Sequence, residues 1–197
     1  MRKAELSQHF LRSPRLALFL IGHTNIKKRD LVIDIGAGSG VISSALSRRC
    51  REVWAIEPDP ATAQKLKSNL GGQNIKIIEK DFLETELPSV PYKVFANPPF
   101  HLSSAILKKL ESAPNPPYAI YLILQKQFAL KLLNNGRHYT STFGRQLFAT
   151  YAPRIRLPLK NTDFTPPPAV PTVLVELKRR EFPLELDSLT DQNAASA

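Results

Sequence analysis

The sequence predicts an α/β fold in which helices cover both faces of a mostly parallel, doubly wound sheet. Five short apolar runs, rich in β-branched or aromatic residues and bounded by turn residues, are typical of buried parallel strands. Amphipathic helical patterns lie between these runs. The chain of 197 residues, 43% of them hydrophobic, is long enough to bury one ordinary core. We therefore expect one domain over residues 1–180, followed by an acidic, disordered tail over residues 181–197.

Along the chain, the five runs predict strands at Leu31–Ile35, Glu52–Ile56, Ile75–Ile78, Tyr92–Ala96 and Tyr118–Leu124. Apolar residues at helical spacing predict helices around Val41–Leu46, Ala63–Leu70 and Ile106–Leu110. A final apolar pattern, Thr172–Leu177, predicts an added edge or hairpin strand. Pro166–Pro168 precede it and, because proline cannot donate to a strand ladder, should form a rigid extended loop outside the sheet.

The charge of the chain favours a polyanionic partner. Lys and Arg total 27 against 17 Asp and Glu, which gives a net charge of +10. Between residues 126 and 180, ten basic residues stand against only Asp163 and Glu176. A solvated rim of helices is the alternative, but a surface that faces nucleic acid explains this run better. The arginines that we expect to contact nucleic acid are Arg137, Arg145, Arg154 and Arg156.

Several function classes are excluded by composition. The single cysteine, Cys50, cannot form an internal disulfide or a cysteine-based zinc site. The first residues show no secretory leader, and no run of about 18 apolar residues predicts a membrane span. The histidines outside the N-terminal segment, His23, His101 and His138, have no paired metal-ligand spacing. We expect a cytoplasmic monomer without a metal or a membrane contact.

A glycine-rich segment, Asp34–Gly40 (DIGAGSG), follows the first strand and opens a helix. Gly36 and Gly38 allow a sharp turn and the close approach of a ligand to the main chain. The spacing differs from that of dinucleotide-binding and phosphate-binding glycine loops. Glu57 ends the second strand, where it can accept hydrogen bonds from a ribose diol, and Asp81-Phe82 follow the third, where they can hold and stack an adenine. Each acid alone could be a loop or cap residue, but together with the turn they favour an adenosyl cofactor.

The fourth strand ends in the segment Asn97-Pro-Pro-Phe100. Asn-Pro is also an ordinary turn dipeptide, but ligands bind at the carboxyl ends of strands in such sheets. The amine of a nucleobase is a poor nucleophile because its lone pair is delocalised into the ring. An Asn97 side-chain oxygen and a carbonyl made rigid by Pro98 and its neighbour would accept both N–H bonds and favour a pyramidal, attacking nitrogen. Phe100 offers a stacking face for the base.

These motifs resemble those of the S-adenosylmethionine-dependent adenine-N6 methyltransferases, and further segments resemble the ribosomal RNA adenine dimethyltransferases. The further segments are Ser7–Leu11 (SQHFL), Gln125–Phe128 (QKQF) and Phe164–Val170 (FTPPPAV). The resemblance covers roughly residues 5 to 180. Within the family, three segments look most like the macrolide-resistance branch, which methylates an adenine of 23S rRNA: Arg48–Ile56, Tyr92–Phe100 and Ile120–Leu133.

The resemblance implies a Rossmann-like class I methyltransferase with a mostly parallel seven-stranded sheet and a C-terminal antiparallel strand. S-adenosylmethionine would be the cofactor and ribosomal RNA the partner. Residue by residue, the family implies the following positions: His9 and Leu11 at the methionine end of the cofactor, Gly36 and Gly38 in the turn, Glu57 on the ribose, Asp81 and Phe82 on the adenine, Asn97 between cofactor and target amine, and Phe100 on the base.

The chain departs from the family at three points. His9 stands where the family usually has Asn, and Pro98 replaces Leu or Ile, which gives the NPPF form common in DNA amino-methyltransferases. The helical C-terminal lobe of the family is not expected, since 17 residues follow Arg180. The alternatives are therefore a 16S rRNA adenine dimethyltransferase, a DNA adenine-N6 methyltransferase or, in another class, a non-catalytic nucleic-acid-binding protein on the same fold.

Overall fold

A seven-stranded sheet forms the centre of the computed structural model, which describes residues 9–71, 74–133 and 142–185. The strands are β1 (Phe10–Leu11), β2 (Leu31–Ile35), β3 (Glu52–Ile56), β4 (Ile75–Ile78), β5 (Tyr92–Ala96), β6 (Ala119–Gln125), β7 (Tyr151–Leu159), β8 (Phe164–Thr165) and β9 (Thr172–Arg179). The helices are α1 (Pro14–Gly22), α2 (Val41–Ser47), α3 (Pro60–Leu70), α4 (Ser103–Glu111), α5 (Lys126–Leu132) and α6 (Thr142–Thr150). The order in the sheet is β4-β3-β2-β5-β6-β9-β7.

The parallel part of the sheet confirms the predicted fold. Strands β4, β3, β2, β5 and β6 pair in parallel, and β9 pairs antiparallel with both β6 and β7. Strands β2 to β5 have the predicted bounds, and β6 begins one residue later than expected. All five residues of β2 are buried, as a central parallel strand covered on both faces requires.

The C-terminal strand lies inside the sheet, between β6 and β7. It is therefore not the added edge strand that was one of the two expectations for Thr172–Leu177, whereas its antiparallel pairing with β7 agrees with the other, a hairpin strand. The edge belongs to β7, which the apolar patterns of the sequence did not predict. Pro153 and Pro158 lie within β7 and pair with Leu177 and Val173. Proline lacks the N–H that an inner strand must donate on both sides, so β7 can only be an edge strand.

Helices cover both faces of the sheet. Helices α1, α2 and α3 pack over one core, which includes Leu20, Leu46 and Leu66. Helices α4, α5 and α6 pack over the opposite core, which includes Leu107 and Leu147. Over the part of the chain that the structure describes, no helix is long and apolar enough to span a bilayer.

The N-terminal segment and the proline-rich loop meet in a second, two-stranded sheet. Phe10 pairs with Thr165 and Leu11 with Phe164, in antiparallel register. Pro166–Pro168 lie outside both sheets, as predicted. Of the expected tail, residues 181–185 are described; they are exposed, and the amide of Leu184 donates to the carbonyl of Ala149 at 3.0 Å. Residues 186–197 lie outside the described residues, and the boundary at residue 180 stays a prediction.

Candidate active site

A cavity of about 420 Å³ opens at the carboxyl ends of the parallel strands. Its volume lies in the range of small-molecule and cofactor sites. All eight residues that the sequence assigned to the cofactor line its wall: His9, Leu11, Gly36, Gly38, Glu57, Asp81, Phe82 and Asn97. Residues from the loops after β2, β3, β4 and β5 thus meet at one edge of the sheet, as the topology of parallel strands dictates.

The glycine turn brings the backbone close to the space of the cavity. The amides of Gly36 and Ala37 both donate to the carbonyl of Ile56, at 2.9 and 3.0 Å, and so tie the turn to the end of β3. Gly38 has a φ of +53°, and a Cβ there would lie 3.0 Å from Cε1 of Phe10. Both the left-handed backbone and the nearby ring favour glycine at this position.

Glu57 is held in place by two backbone amides. Its Oε2 accepts from the amide of Gly38 at 2.8 Å, and its Oε1 accepts from the amide of Asp59 at 3.1 Å. The side chain is buried, at 7% exposure, yet it lines the cavity. Each carboxylate oxygen keeps a second lone pair, so the oriented group can still accept hydrogen bonds from a diol.

Asp81 caps the 3₁₀ turn Phe82–Glu84 after β4. Its Oδ1 accepts from the amide of Leu83 at 2.7 Å, and its carbonyl accepts from Oγ1 of Thr85 at 2.8 Å. Oδ1 therefore already accepts one hydrogen bond from the turn, whereas no described residue donates to Oδ2, which makes Oδ2 the better placed oxygen to accept from an adenine amine. Phe82 is 4% exposed and belongs to the core beneath α4, so it contributes a part of the cavity wall from a buried position.

The amide group of Asn97 has a defined orientation. Its Nδ2 donates to the backbone carbonyl of His9. A carbonyl oxygen only accepts, so the nitrogen of the amide must face it and Oδ1 is the atom free to accept from a ligand. Pro98 is buried and does not line the cavity, although Pro99 does. Phe100 lies beside the cavity, with its ring centroid 5.3 Å from that of His9.

His9 connects the Asn97 segment to the proline-rich loop. Its Nδ1 donates to the carbonyl of Pro166 at 2.9 Å, its ring packs against Phe100, and its own carbonyl accepts from Asn97. The sequence assigned this residue to the methionine end of the cofactor. The structure adds contacts to Pro166 and Phe100, which are both distant along the chain and which no local pattern signals.

Asp34 is a buried acid at the head of the glycine-rich segment, behind the cavity wall, and no role was predicted for it. Its Oδ2 accepts from Oγ of Ser43 at 2.6 Å, which links the end of β2 to α2, and within the described residues Oδ1 has no partner. Burial raises the pKa of Asp34 to about 7, the charge of Glu57 adds to the rise, and the bond from Ser43 opposes it. Its place at the head of the DIGAGSG segment was the signal for a structural role.

The predicted nucleic-acid-binding arginines are spread over the fold. Arg137 lies outside the described residues. Arg145 is half-buried on α6, which packs on one face of the sheet. Arg154 is exposed on β7, and Nη1 of Arg156 lies 3.6 Å from Oε2 of Glu176.

Glu176 also shows which face of the sheet Arg156 occupies. It accepts from the hydroxyl of Tyr121, whose side chain belongs to the core beneath α1. Arg156 is therefore on the opposite face from Arg145. Within the described ranges, no group of three His, Cys, Asp or Glu residues could hold a metal.

Comparisons with known proteins show the family of the chain. The family model described as "Ribosomal RNA adenine dimethylase" matches residues 1–192. A dimethyladenosine transferase of Candida glabrata is 31% identical over 183 residues, which are 88% of this chain and 56% of that protein. An rRNA adenine N-6-methyltransferase of Escherichia coli is 32% identical over 185 residues, which are 90% of this chain and 71% of that protein.

The fold is also similar to that of a solved structure. The crystal structure of the 23S rRNA methyltransferase ErmE superposes with a TM-score of 0.81 at 26% identity, covering 94% of this chain and 76% of that one. The chain thus spans little more than half the length of the Candida glabrata relative and about three quarters of ErmE.

Proposed function

We infer the function of this chain from its family: the chain belongs to the ribosomal RNA adenine dimethylases, whose model matches nearly all of it. The cofactor of this family is S-adenosylmethionine. We propose that the chain transfers a methyl group from this cofactor to N6 of an unpaired adenine in ribosomal RNA. The orientation of Asn97 carries the proposal, because it presents Oδ1 as an acceptor at the wall of a cavity that has the acids for an adenosyl group.

The residues present fit an adenosyl cofactor. Glu57, oriented by the amides of Gly38 and Asp59, would accept from the two ribose hydroxyls. Oδ2 of Asp81 would accept from the adenine amine, and His9 and Leu11 would lie along the methionine end. When bound, S-adenosylmethionine supplies an electrophilic methyl group.

Asn97 and its neighbours act on the target amine. Oδ1 of Asn97 accepts one N–H of N6, and the backbone carbonyl of the proline segment accepts the other, which localises the lone pair on nitrogen. The nitrogen would form its new bond to the methyl carbon while the bond from that carbon to the cofactor's sulfur breaks, so that S-adenosylhomocysteine leaves and one proton passes from the nitrogen to solvent. Phe100 stacks on the base, which must be unpaired or flipped out because N6 is engaged in pairing within a duplex.

Within ribosomal RNA, we propose 23S rRNA as the substrate and macrolide resistance as the consequence of its methylation. The resemblance of three sequence segments to that branch and the similarity to ErmE support this choice. A 16S rRNA adenine is the second candidate, because the identity to a dimethyladenosine transferase, 31%, nearly equals that to the Escherichia coli rRNA methyltransferase, 32%. A cytoplasmic location and a monomeric state remain predictions.

One experiment tests the activity and the substrate together. The chain is incubated with S-adenosylmethionine carrying a labelled methyl group and with protein-free 23S rRNA, 16S rRNA, assembled subunits or DNA. Nucleosides are then separated to identify N6-methyladenosine and N6,N6-dimethyladenosine. We expect label in 23S rRNA. Label in 16S rRNA alone or in DNA alone would show that 23S rRNA is not the substrate. Binding of RNA without any methyl transfer would favour the non-catalytic alternative.

A further inference from the structure

A lysine outside the cavity holds the loop that carries Asp81. Lys109 lies near the end of α4, and its Nζ donates to the carbonyls of Leu83 and Thr85 at 2.8 and 2.7 Å. The same ammonium group lies 5.4 Å from the ring centroid of Phe82. Lys109 does not line the cavity. It therefore contacts three parts of the turn that follows Asp81 without contacting the space of the ligand.

The contacts of Lys109 complete those of the turn itself. Asp81 caps the amino end of the 3₁₀ turn. The amides of Glu84 and Thr85 donate to the carbonyls of Asp81 and Phe82, whereas the carbonyls of Leu83 and Thr85 accept from Lys109. An ammonium group offers three donors and a charge, so it can satisfy two such carbonyls at once. Burial lowers the pKa of Lys109, and the charge of Asp81 opposes that shift, which places the carboxylate within electrostatic reach of the ammonium.

Helix α4 also carries the other half of the site. It follows directly from Asn97–Phe100 through the 3₁₀ turn Phe100–Leu102, and Leu102 and Ile106 line the same cavity. Lys109 thus fixes the Asp81 turn to the element that begins at the proposed target segment. Without it, the described contacts between α4 and the turn are the apolar packing around Phe82.

We propose that Lys109 is a positioning residue that selects adenine at the cofactor site, because it holds the Asp81 carboxylate where it accepts from the adenine amine. The proposal rests on the proposed cofactor. A carboxylate in that place favours an amine and repels a carbonyl oxygen, so the wild type should bind S-adenosylhomocysteine better than S-inosylhomocysteine, which has oxygen in place of the amine.

Calorimetric titration of the two ligands tests this role. In Lys109→Met we expect the affinity for S-adenosylhomocysteine to fall about tenfold, as for a hydrogen bond to a charged group that is no longer made. The affinity for S-inosylhomocysteine should change little, since Asp81 contributes nothing favourable to it, and the preference for adenine should shrink. A general loosening of the fold would weaken both ligands equally and leave the preference unchanged.

Lys108→Met is the matched control. Lys108 neighbours Lys109 on the same helix but is exposed, and its Nζ lies 5.6 Å from the ring of Phe143. We expect wild-type affinities for both ligands in this variant. If Lys109→Met does not fold, Lys109→Leu, which likewise has neither a donor nor a charge, replaces it with the same expectation. An unchanged preference in a folded Lys109 variant would overturn the positioning role, whereas a wild type that bound neither ligand would overturn the proposed function instead.

Discussion

The eight predicted cofactor residues and the four predicted nucleic-acid-binding arginines differ in what folding does to them. The cofactor residues come from four separate loops and from the N-terminal segment, and the sheet brings all of them to one cavity. Three of the arginines are described, and they lie on α6 and β7, on opposite faces of the sheet. Residues that directly follow parallel strands share an edge by topology, whereas a run of like charge along the chain says nothing about which face receives each side chain.

The largest expected effect tests the cavity side of this comparison. Asn97→Ala should lower methyl transfer by about 10²- to 10³-fold, as for the removal of a group that stabilises a transition state. Its main partner is the target amine, so the affinity for S-adenosylhomocysteine should stay within about tenfold of wild type. Transfer of labelled methyl and calorimetric titration measure the two quantities. Turnover at the wild-type rate would make the NPPF segment a structural turn only.

The next effect concerns the ribose-binding acid. Glu57→Ala should weaken S-adenosylhomocysteine about 10- to 100-fold, because it removes the acceptor of the hydroxyls and leaves the amides of Gly38 and Asp59 without their partner. Glu79→Ala is the control, since Glu79 pairs with Lys67 on an exposed surface outside the cavity wall. If the two variants bound S-adenosylhomocysteine with equal affinity, Glu57 would not be a cofactor-binding residue.

A pH dependence of stability should originate at the buried carboxyl of Asp34. Asp34 has a pKa raised to about 7 from 3.8, so the folded state retains its proton between about pH 4 and 7 while the unfolded state loses it. The contribution of the protonated Asp34 carboxyl to the free energy of unfolding is fully present below the unfolded pKa of 3.8 and is lost as the pH rises to the folded pKa of about 7. Asp34→Asn is neutral at every pH, so the difference between its Tm and that of wild type should increase from pH 5 to pH 8, by roughly 5 to 10 °C for the roughly 2.7 kcal/mol that two pH units represent.

Thermal unfolding at four pH values between 5 and 8 measures this difference. Asp30→Asn would not serve as a control, because Asp30 pairs with Lys93 at 2.7 Å. Glu86→Gln is a better one, since Glu86 is exposed and lies outside the cavity wall. Parallel pH profiles of wild type and Asp34→Asn would show that the Asp34 carboxyl does not keep its proton in the folded chain.

The sequence predicted those parts of the fold that short segments encode locally. The four strands β2 to β5 are continuous apolar runs, and their bounds were predicted to the residue. Strand β7 was missed because its prolines and arginines interrupt any apolar alternation. Strand β9 lies between β6 and β7 because it pairs with residues distant along the chain. The residues of Thr172–Leu177 alone do not indicate these partners.

The site shows the same division. Glu57 and Asp81 could be assigned because each follows a strand closely. The bond from Asn97 to the carbonyl of His9 joins residues 88 apart through a backbone atom, which every residue type possesses. The two carbonyls that Lys109 contacts are also backbone atoms, so no residue type in the sequence indicates them. Contacts from side chains to the main chain could therefore be found only in the structure.

The smallest expected effects concern the predicted nucleic-acid-binding arginines. Removal of one arginine–phosphate interaction should weaken RNA binding several-fold at low salt and reduce the slope of log K against log salt concentration by about one. Arg154 is exposed, whereas Arg156 is held in an ion pair with Glu176, so Arg154→Gln should lower the affinity for RNA more than Arg156→Gln does. Arg145→Gln, on the opposite face, should have the effect of Arg154→Gln only if RNA wraps around the β7 edge.

Fluorescence titration with labelled RNA at several salt concentrations measures all three variants, and S-adenosylhomocysteine affinity should be the same in each. If none of them changed the salt slope, these three arginines would be solvated surface residues, and RNA binding would rest on other basic residues.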